Sequence, residues 1–319
     1  MFLVRAIHFA AMVSVAGTFA FQLFVLRQSE RDADAAAARR EVERWLRRLA
    51  GWGLGVAVVS WIAWLMLVGA QMSGRTLSEA LAPEVLGAVA LRTGFGRVWI
   101  VRMVLLALLA AEHALAGRRA RSSVLGACLA AAALATLAWS GHAVATAPPL
   151  RSLHLAADAA HLIAAALWLG ALVPLIFVLA RAREQDGAWA ALAMRTTRRF
   201  SSLGVVAVAG LLLTGIVNTW VLLGGIAAFA ETAYGRLLAI KIALFVLIVA
   251  IAAFNRSRLV PRMRATTGAG EALPTLRRNA IAEIVVGAGI LLIVGALGIT
   301  PPAAHEHGPM RHHSAMHAP

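Results

Sequence analysis

Eight stretches of this 319-residue chain are each apolar over the length of a bilayer, and no other property limits its fold so sharply. A spanning helix needs about 20 apolar residues, because the hydrocarbon layer is about 30 Å thick and each helical residue rises about 1.5 Å. The stretches are 2–26, 50–72, 97–116, 122–140, 154–180, 200–224, 235–255 and 280–299. In lipid every backbone amide has to be satisfied within its own segment, so the sequence predicts an all-α polytopic membrane protein of eight transmembrane helices. The first stretch is long for a cleavable leader, carries only Arg5 ahead of its apolar run, and is followed by an arginine-rich segment. It is therefore read as a helix. With 61% hydrophobic and 14% charged residues, the composition is not that of a soluble domain. One cysteine, Cys128, excludes an internal disulfide and any Cys-x-x-Cys metal or redox motif within this sequence.

The formal net charge of +15 would ordinarily suggest nucleic acid, but the position of the arginines gives another reason for it. Of the 30 basic residues, 21 lie in the connections 27–49, 117–121, 181–199 and 256–279. The alternate connections 73–96, 141–153 and 225–234 hold Arg75 and Arg92, then Arg151, then none. Basic residues accumulate on the cytoplasmic side of a membrane protein, so both termini are expected in the periplasm and no nucleic-acid partner is implied. The amphipathic run RQSERDADAAAARREVERWLRR in the first inner connection reads as a solvated or interface-lying helix.

Polar landmarks recur in order. Thr93-Gly94-Phe95-Gly96-Arg97 with Arg102 matches Thr232-Ala233-Tyr234-Gly235-Arg236 with Lys241. His8 and His161 are each followed nine residues later by a glycine, Gly17 and Gly170, and Arg47-Arg48 matches Arg198-Arg199. With four helices per unit, these matches predict two parallel repeats, about 1–149 and 150–302, followed by a tail, 303–319.

An ionisable side chain within a span is costly and marks a site facing the bundle interior. The fifth stretch carries His154, Asp158 and His161 at i, i+4 and i+7, all on one helical face, with Trp168 seven residues further along it. His154 and His161 are about 10 Å apart along the axis, which suits two adjoining sites or a relay better than one centre. WSGHAVATAPPLRSLH places His142 at the outer end of the fourth helix, and its short Pro-Pro connection turns back toward His154. His8 lies at similar depth in the first helix, with Met12 one turn deeper, and if the repeat holds it faces His161 across the axis. Imidazole suits copper and a thioether favours the cuprous ion, so the outer-half set points to copper. His113 beside Glu112 reads as an interhelical hydrogen bonder. Met66, Met72 and Met103 read as packing, and Cys128 as a small buried residue, with a copper exit ligand as its alternative.

After Pro301-Pro302 the tail interleaves His305, His307, His312, His313 and His317 with Met310 and Met316. Short His-rich tracts are a metal-binding composition, so the tail reads as a copper-collecting segment on the periplasmic side.

WSGHAVATAPPLRSLHLAADAAHLIAAALWLGALVPL, the TGFGRVWIVR and TAYGRLLAIK turns and the eight-helix layout together resemble the CopD family of bacterial copper-resistance inner-membrane proteins. The resemblance covers 2–302. It implies copper handling between periplasm and cytoplasm, attributed to uptake, in partnership with a periplasmic CopC-type copper-binding protein. The family's histidines map onto His142, His154, His161 and His8. Beyond that carrier, copper ion and membrane lipid no partner is implied, and no Ser/His/Asp or paired-carboxylate set suggests an enzyme. Two alternatives stay open: a b-type haem redox protein with His8 and His161 as axial ligands, and a copper sensor or assembly factor without flux.

Overall fold

The computed structural model describes residues 1–26, 36–74, 76–116, 124–184, 187–263 and 269–306. All of it is helical, with no strand among the described residues. The long helices, numbered in chain order, are α1 (Phe2–Leu26), α2 (Ala36–Ser73), α3 (Gly94–Ala116), α4 (Val124–Ser140), α5 (Leu150–Ala182), α6 (Gly187–Leu223), α7 (Ala233–Arg262) and α8 (Ala272–Leu297). Seven of these are long and apolar enough to cross a membrane. The exception is α4, a shorter apolar helix where the sequence leads one to expect a full eighth span. Its α-helical turns end at Ala135, and the chain tightens to a 3-10 helix over Thr136–Ser140, where the Thr136 hydroxyl donates to the Ala133 carbonyl three residues back.

Two helices form the centre. In α1 and α5, 72% and 61% of the most apolar stretch is buried, against 17% in α3 and α6 and 11% in α7. The two carry His8 and His161, and they approach each other at Gly17 and Gly170. A Cβ on either glycine would collide with the other's backbone. Small residues let transmembrane helices come this close. Pro174, which cannot donate to the Gly170 carbonyl, follows a π turn over Ala166–Gly170 that lies at the crossing. α2 flanks α1, and α6 flanks α5.

The TGFGR and TAYGR turns are the same device built twice. Thr93 caps α3 by accepting from the Gly96 N–H, and Thr232 caps α7 by accepting from the Gly235 N–H, at 2.9 Å in both cases. Each threonine hydroxyl also donates to the carbonyl four residues back, Val89 or Ala228. Gly96 and Gly235 press against the backbone of the preceding short helix, Pro83–Arg92 or Ala228–Glu231, where a Cβ would not fit.

Two expectations are corrected here. The amphipathic run after α1 is not a separate solvated or interface-lying helix: from Ala36 it is continuous with α2, whose 38 residues extend about 57 Å at 1.5 Å per residue. Val42 and Leu46 are fully buried, and Trp45 stacks on Phe177 at 4.2 Å. The apolar positions at i, i+4 and i+8, Val42, Leu46 and Ala50, form a stripe, of which Val42 and Leu46 pack on α5 and α6 and Ala50 joins the core around α1. Cys128 is exposed rather than buried, on the outside of α4, which removes the support for an exit ligand there.

Candidate metal centre

The 3-10 turn His142–Ala145 and the start of α5 bring two histidines to one end of the bundle. The His142 Nε2–H donates to the Leu297 carbonyl at 2.9 Å. A carbonyl only accepts, so this bond puts the imidazole lone pair on Nδ1. His142 meets the edge of Tyr234 at 6.0 Å. His154, buried to 1% exposure, is hydrogen-bonded through Nδ1 to the Thr146 hydroxyl at 2.7 Å and lies within electrostatic reach of His142. Arg151 donates from Nε to the Thr146 carbonyl and braces the turn.

One turn deeper, Asp158 accepts from Asn218 of α6 at 3.4 Å, and its Oδ2 faces Gly141, the residue before His142. Lys241 of α7 lies within electrostatic reach of both Asp158 and His161. The His161 Nδ1 is 2.9 Å from the Thr214 hydroxyl, and that hydroxyl donates its own proton to the Gly210 carbonyl at 2.6 Å. Having spent its proton, the hydroxyl only accepts from His161, so Nδ1 carries the hydrogen and Nε2 the lone pair.

His8 repeats this arrangement in the first half. Its Nδ1 is 2.9 Å from the Ser60 hydroxyl, which donates to the Val56 carbonyl at 2.6 Å, and 3.1 Å from the Ala57 carbonyl. Nδ1 is again the donor, and the buried Nε2 lone pair has no hydrogen-bond partner. A ligating imidazole is oriented in this way, by a hydrogen bond on its other nitrogen.

Both rings stand within electrostatic reach of a cation, Lys241 at His161 and Arg102 at His8. His8 stacks on Trp61 at 5.0 Å and meets the edge of Trp64 at 5.8 Å. Arg102 lies over Trp61 at 3.8 Å and Arg5 over Trp64 at 4.5 Å, both guanidiniums buried. Arg102 donates to Thr136 and Ser140, and neither arginine has a carboxylate partner among the described residues. Thus Asp158 adds a carboxylate within reach of the cation at His161, while the cations near His8 have none among the described residues. Met12 lies in the apolar core one turn below His8, at 1% exposure.

The structure therefore brings His142, His154 and Asp158 to one end of the bundle, with His161 a turn below. His8 and His161 are anchored to different flanking helices, one ring hydrogen-bonding to α2 and the other to α6. Among the described residues, no three His, Cys, Asp or Glu side chains stand together so as to hold one metal ion. The tail residues His307, Met310, His312, His313, Met316 and His317 lie outside the described residues, as does the side chain of His305. Sequence reasoning missed Ser60, Thr146, Thr214 and Asn218, since a small hydroxyl or amide in an apolar run carries little signal without its neighbour. Arg5, Arg102 and Lys241 were visible as charges within spans. Away from these histidines, Glu283 accepts from Asn255 at 2.8 Å and Asn279 donates to Asn255 at 2.7 Å.

Fold and site together define a multi-pass helical membrane protein with an oriented imidazole on each of its two central helices. Comparison with known proteins makes the class specific. Residues 1–152 match the family "Copper resistance protein D-like, N-terminal domain" and residues 194–297 match "Copper resistance protein D". The chain is 31% identical over 304 residues to copper resistance protein D of Pseudomonas syringae pv. tomato, covering 94% of this chain and 96% of that one. It is 32% identical over 301 residues to inner membrane protein YebZ of Escherichia coli, covering 93% and 97%. It is 27% identical to copper transport protein CutJ of Bacillus subtilis, covering 96% of this chain and 53% of that one. No solved structure matches it. The chain belongs to the copper resistance protein D family and is a multi-pass inner-membrane protein.

Proposed function

We propose that this protein moves copper across the inner membrane, toward the cytoplasm, and contributes to copper homeostasis and resistance. The observation that carries the reading is the orientation of the imidazoles. On both central helices a histidine donates from Nδ1 to a neighbouring hydroxyl and presents the Nε2 lone pair. The names of the relatives, copper resistance and copper transport, point the same way.

In this reading copper is cargo. A periplasmic CopC-type carrier, or the His/Met tail over 303–319, delivers it to His142 and His154. It passes by Asp158 to His161 and then to His8 and Met12. Each station is a partial ligand set, and permeation needs that weakness, because an ion held by many donors at once does not leave. Asp158 supplies charge compensation where copper loads. Arg102 and Arg5 raise the energy of a cation at His8, which makes that station the weaker one. The protein performs no covalent chemistry. The reading includes eight spans, with α4 as the shortest, both termini outside, and two parallel repeats. The matched caps at Thr93 and Thr232 and the matched hydroxyls at Ser60 and Thr214 support the duplication.

Copper uptake into proteoliposomes tests this, with wild type, His154→Ala/His161→Ala and a chain truncated at 303. Uptake is expected to vanish in the double variant and to weaken without the tail. Wild-type flux in the double variant, or a Soret band in the purified protein, overturns the route.

A further inference from the structure

We propose that the arginine-rich end of the bundle holds a binding site for a phosphate-bearing anion, and that its ligand is the headgroup of an anionic phospholipid. Four arginines, Arg195, Arg198, Arg199 and Arg256, line a cleft of about 740 Å3 together with Ser201 and Ser202. Three of them come from α6 at i, i+3 and i+4, so they share one face of that helix. The fourth comes from the π turn Asn255–Leu259 of α7.

The arrangement is held in place from both sides. Arg256 donates to the Ser201 carbonyl at 2.9 Å and to its hydroxyl at 2.8 Å, tying α7 to α6. Arg199 donates to the Val25 carbonyl at the end of α1 at 3.2 Å. A guanidinium has five N–H donors in a planar fork, so the two bonds from Arg256 leave donors to meet a phosphate. No carboxylate is found among the described residues lining the cleft. The general excess of basic residues at this end accounts for arginine here, but not for the convergence of two helices on one cleft.

The apolar part of the lining selects the source. Phe24 and Val206 line the cleft and are exposed, at 47% and 66%. Below Val206, the exposed Leu213 and Trp220 follow at seven-residue steps on the same face of α6, a stripe of about 21 Å along the helix. A headgroup phosphate at the arginines would place its acyl chains along this stripe, whereas a free phosphate would use only the arginine end. Basic pockets between transmembrane helices are a recognised means of holding anionic headgroups.

The test uses the full chain purified in detergent, incubated with equimolar phosphatidylglycerol and phosphatidylcholine, with retained lipid counted by native mass spectrometry. Wild type is expected to retain phosphatidylglycerol preferentially. Arg195→Gln/Arg198→Gln/Arg256→Gln is expected to weaken it by about fivefold per arginine removed. Arg40→Gln/Arg44→Gln/Arg48→Gln, which removes equal charge from α2, is expected to change little. No preference in wild type, or equal loss in both triple variants, overturns the proposal. If millimolar inorganic phosphate binds and displaces the lipid, the ligand is free phosphate and the lipid assignment falls. Should the triple variant not fold, Arg256→Gln against Arg258→Gln makes the same comparison.

Discussion

Replacing Thr214 by valine keeps the side-chain shape and removes the oxygen that accepts from His161 Nδ1–H at 2.9 Å. Among the described residues His161 Nδ1 has no second acceptor, so its hydrogen is free to move to Nε2, which erases the lone pair there. Loss of such an orienting bond typically lowers metal affinity about 10–100-fold, or about 1.4–2.7 kcal/mol. Ser60→Ala is the internal comparison. His8 Nδ1 also donates to the Ala57 carbonyl at 3.1 Å, so its tautomer survives the loss of the hydroxyl, and the expected change stays within about threefold. Thr214→Ser restores the acceptor and is expected to restore affinity. The assay is competition titration of Cu(I) against a chromophoric chelator in detergent, on the chain truncated at 303 so that the tail does not mask the membrane sites. Equal effects of Thr214→Val and Ser60→Ala, or unchanged binding in Thr214→Val, would refute the assignment of Nε2 as the ligating atom.

Three further outcomes are expected. Gly17→Ala forces α1 and α5 apart and should destabilise the bundle by about 1–3 kcal/mol, whereas Gly55→Ala, where the new methyl meets nothing within 4 Å, should lower thermal stability in detergent hardly at all. Thr93→Ala and Thr232→Ala each remove a helix cap and should each cost about 1 kcal/mol, with near-equal shifts in melting temperature as the signature of equivalent roles. Arg102→Met removes positive charge beside His8 and should tighten copper retention there while slowing uptake, read as a lower half-saturating concentration with a lower maximal rate in proteoliposomes.

Much of the fold is written in hydropathy. Apolar length alone locates every long helix and places both ends of α1, α3, α4 and α5 to within a few residues, whereas α2 and α6 begin well before their apolar runs, at Ala36 and Gly187. The histidine set on α5 is legible for a related reason, since a charge inside a span is conspicuous and helical spacing assigns it to a face. What cannot be read is which face of a uniformly apolar helix meets protein and which meets lipid. Cys128 shows this: it lies in a run of alanine, leucine and glycine with no periodicity to orient it, and it is found outside. The start of α2 shows the converse. Its charges look solvated in isolation, and only the partners Phe177, Trp189 and Leu192 on distant helices explain why Val42 and Leu46 are buried. The hydroxyls of Ser60 and Thr214 were illegible because their meaning depends on a ring one helix away.

The two halves share a scaffold and differ in charge, and the difference bears on mechanism. Each half holds a histidine on a central helix, a hydroxyl acceptor on the flanking helix, and a basic residue at the same register, Arg102 on α3 or Lys241 on α7. In the second half Asp158 lies within electrostatic reach of the lysine, so a cation there meets a carboxylate as well as an ammonium. In the first half Arg102 has only the hydroxyls of Thr136 and Ser140 and the Trp61 ring, with Arg5 adding a second positive charge nearby. Two identical sites would hold copper equally and give it no reason to move between them. In the proposed route, a carboxylate beside one station and none beside the other make the Asp158 end the loading side and His8 the releasing side.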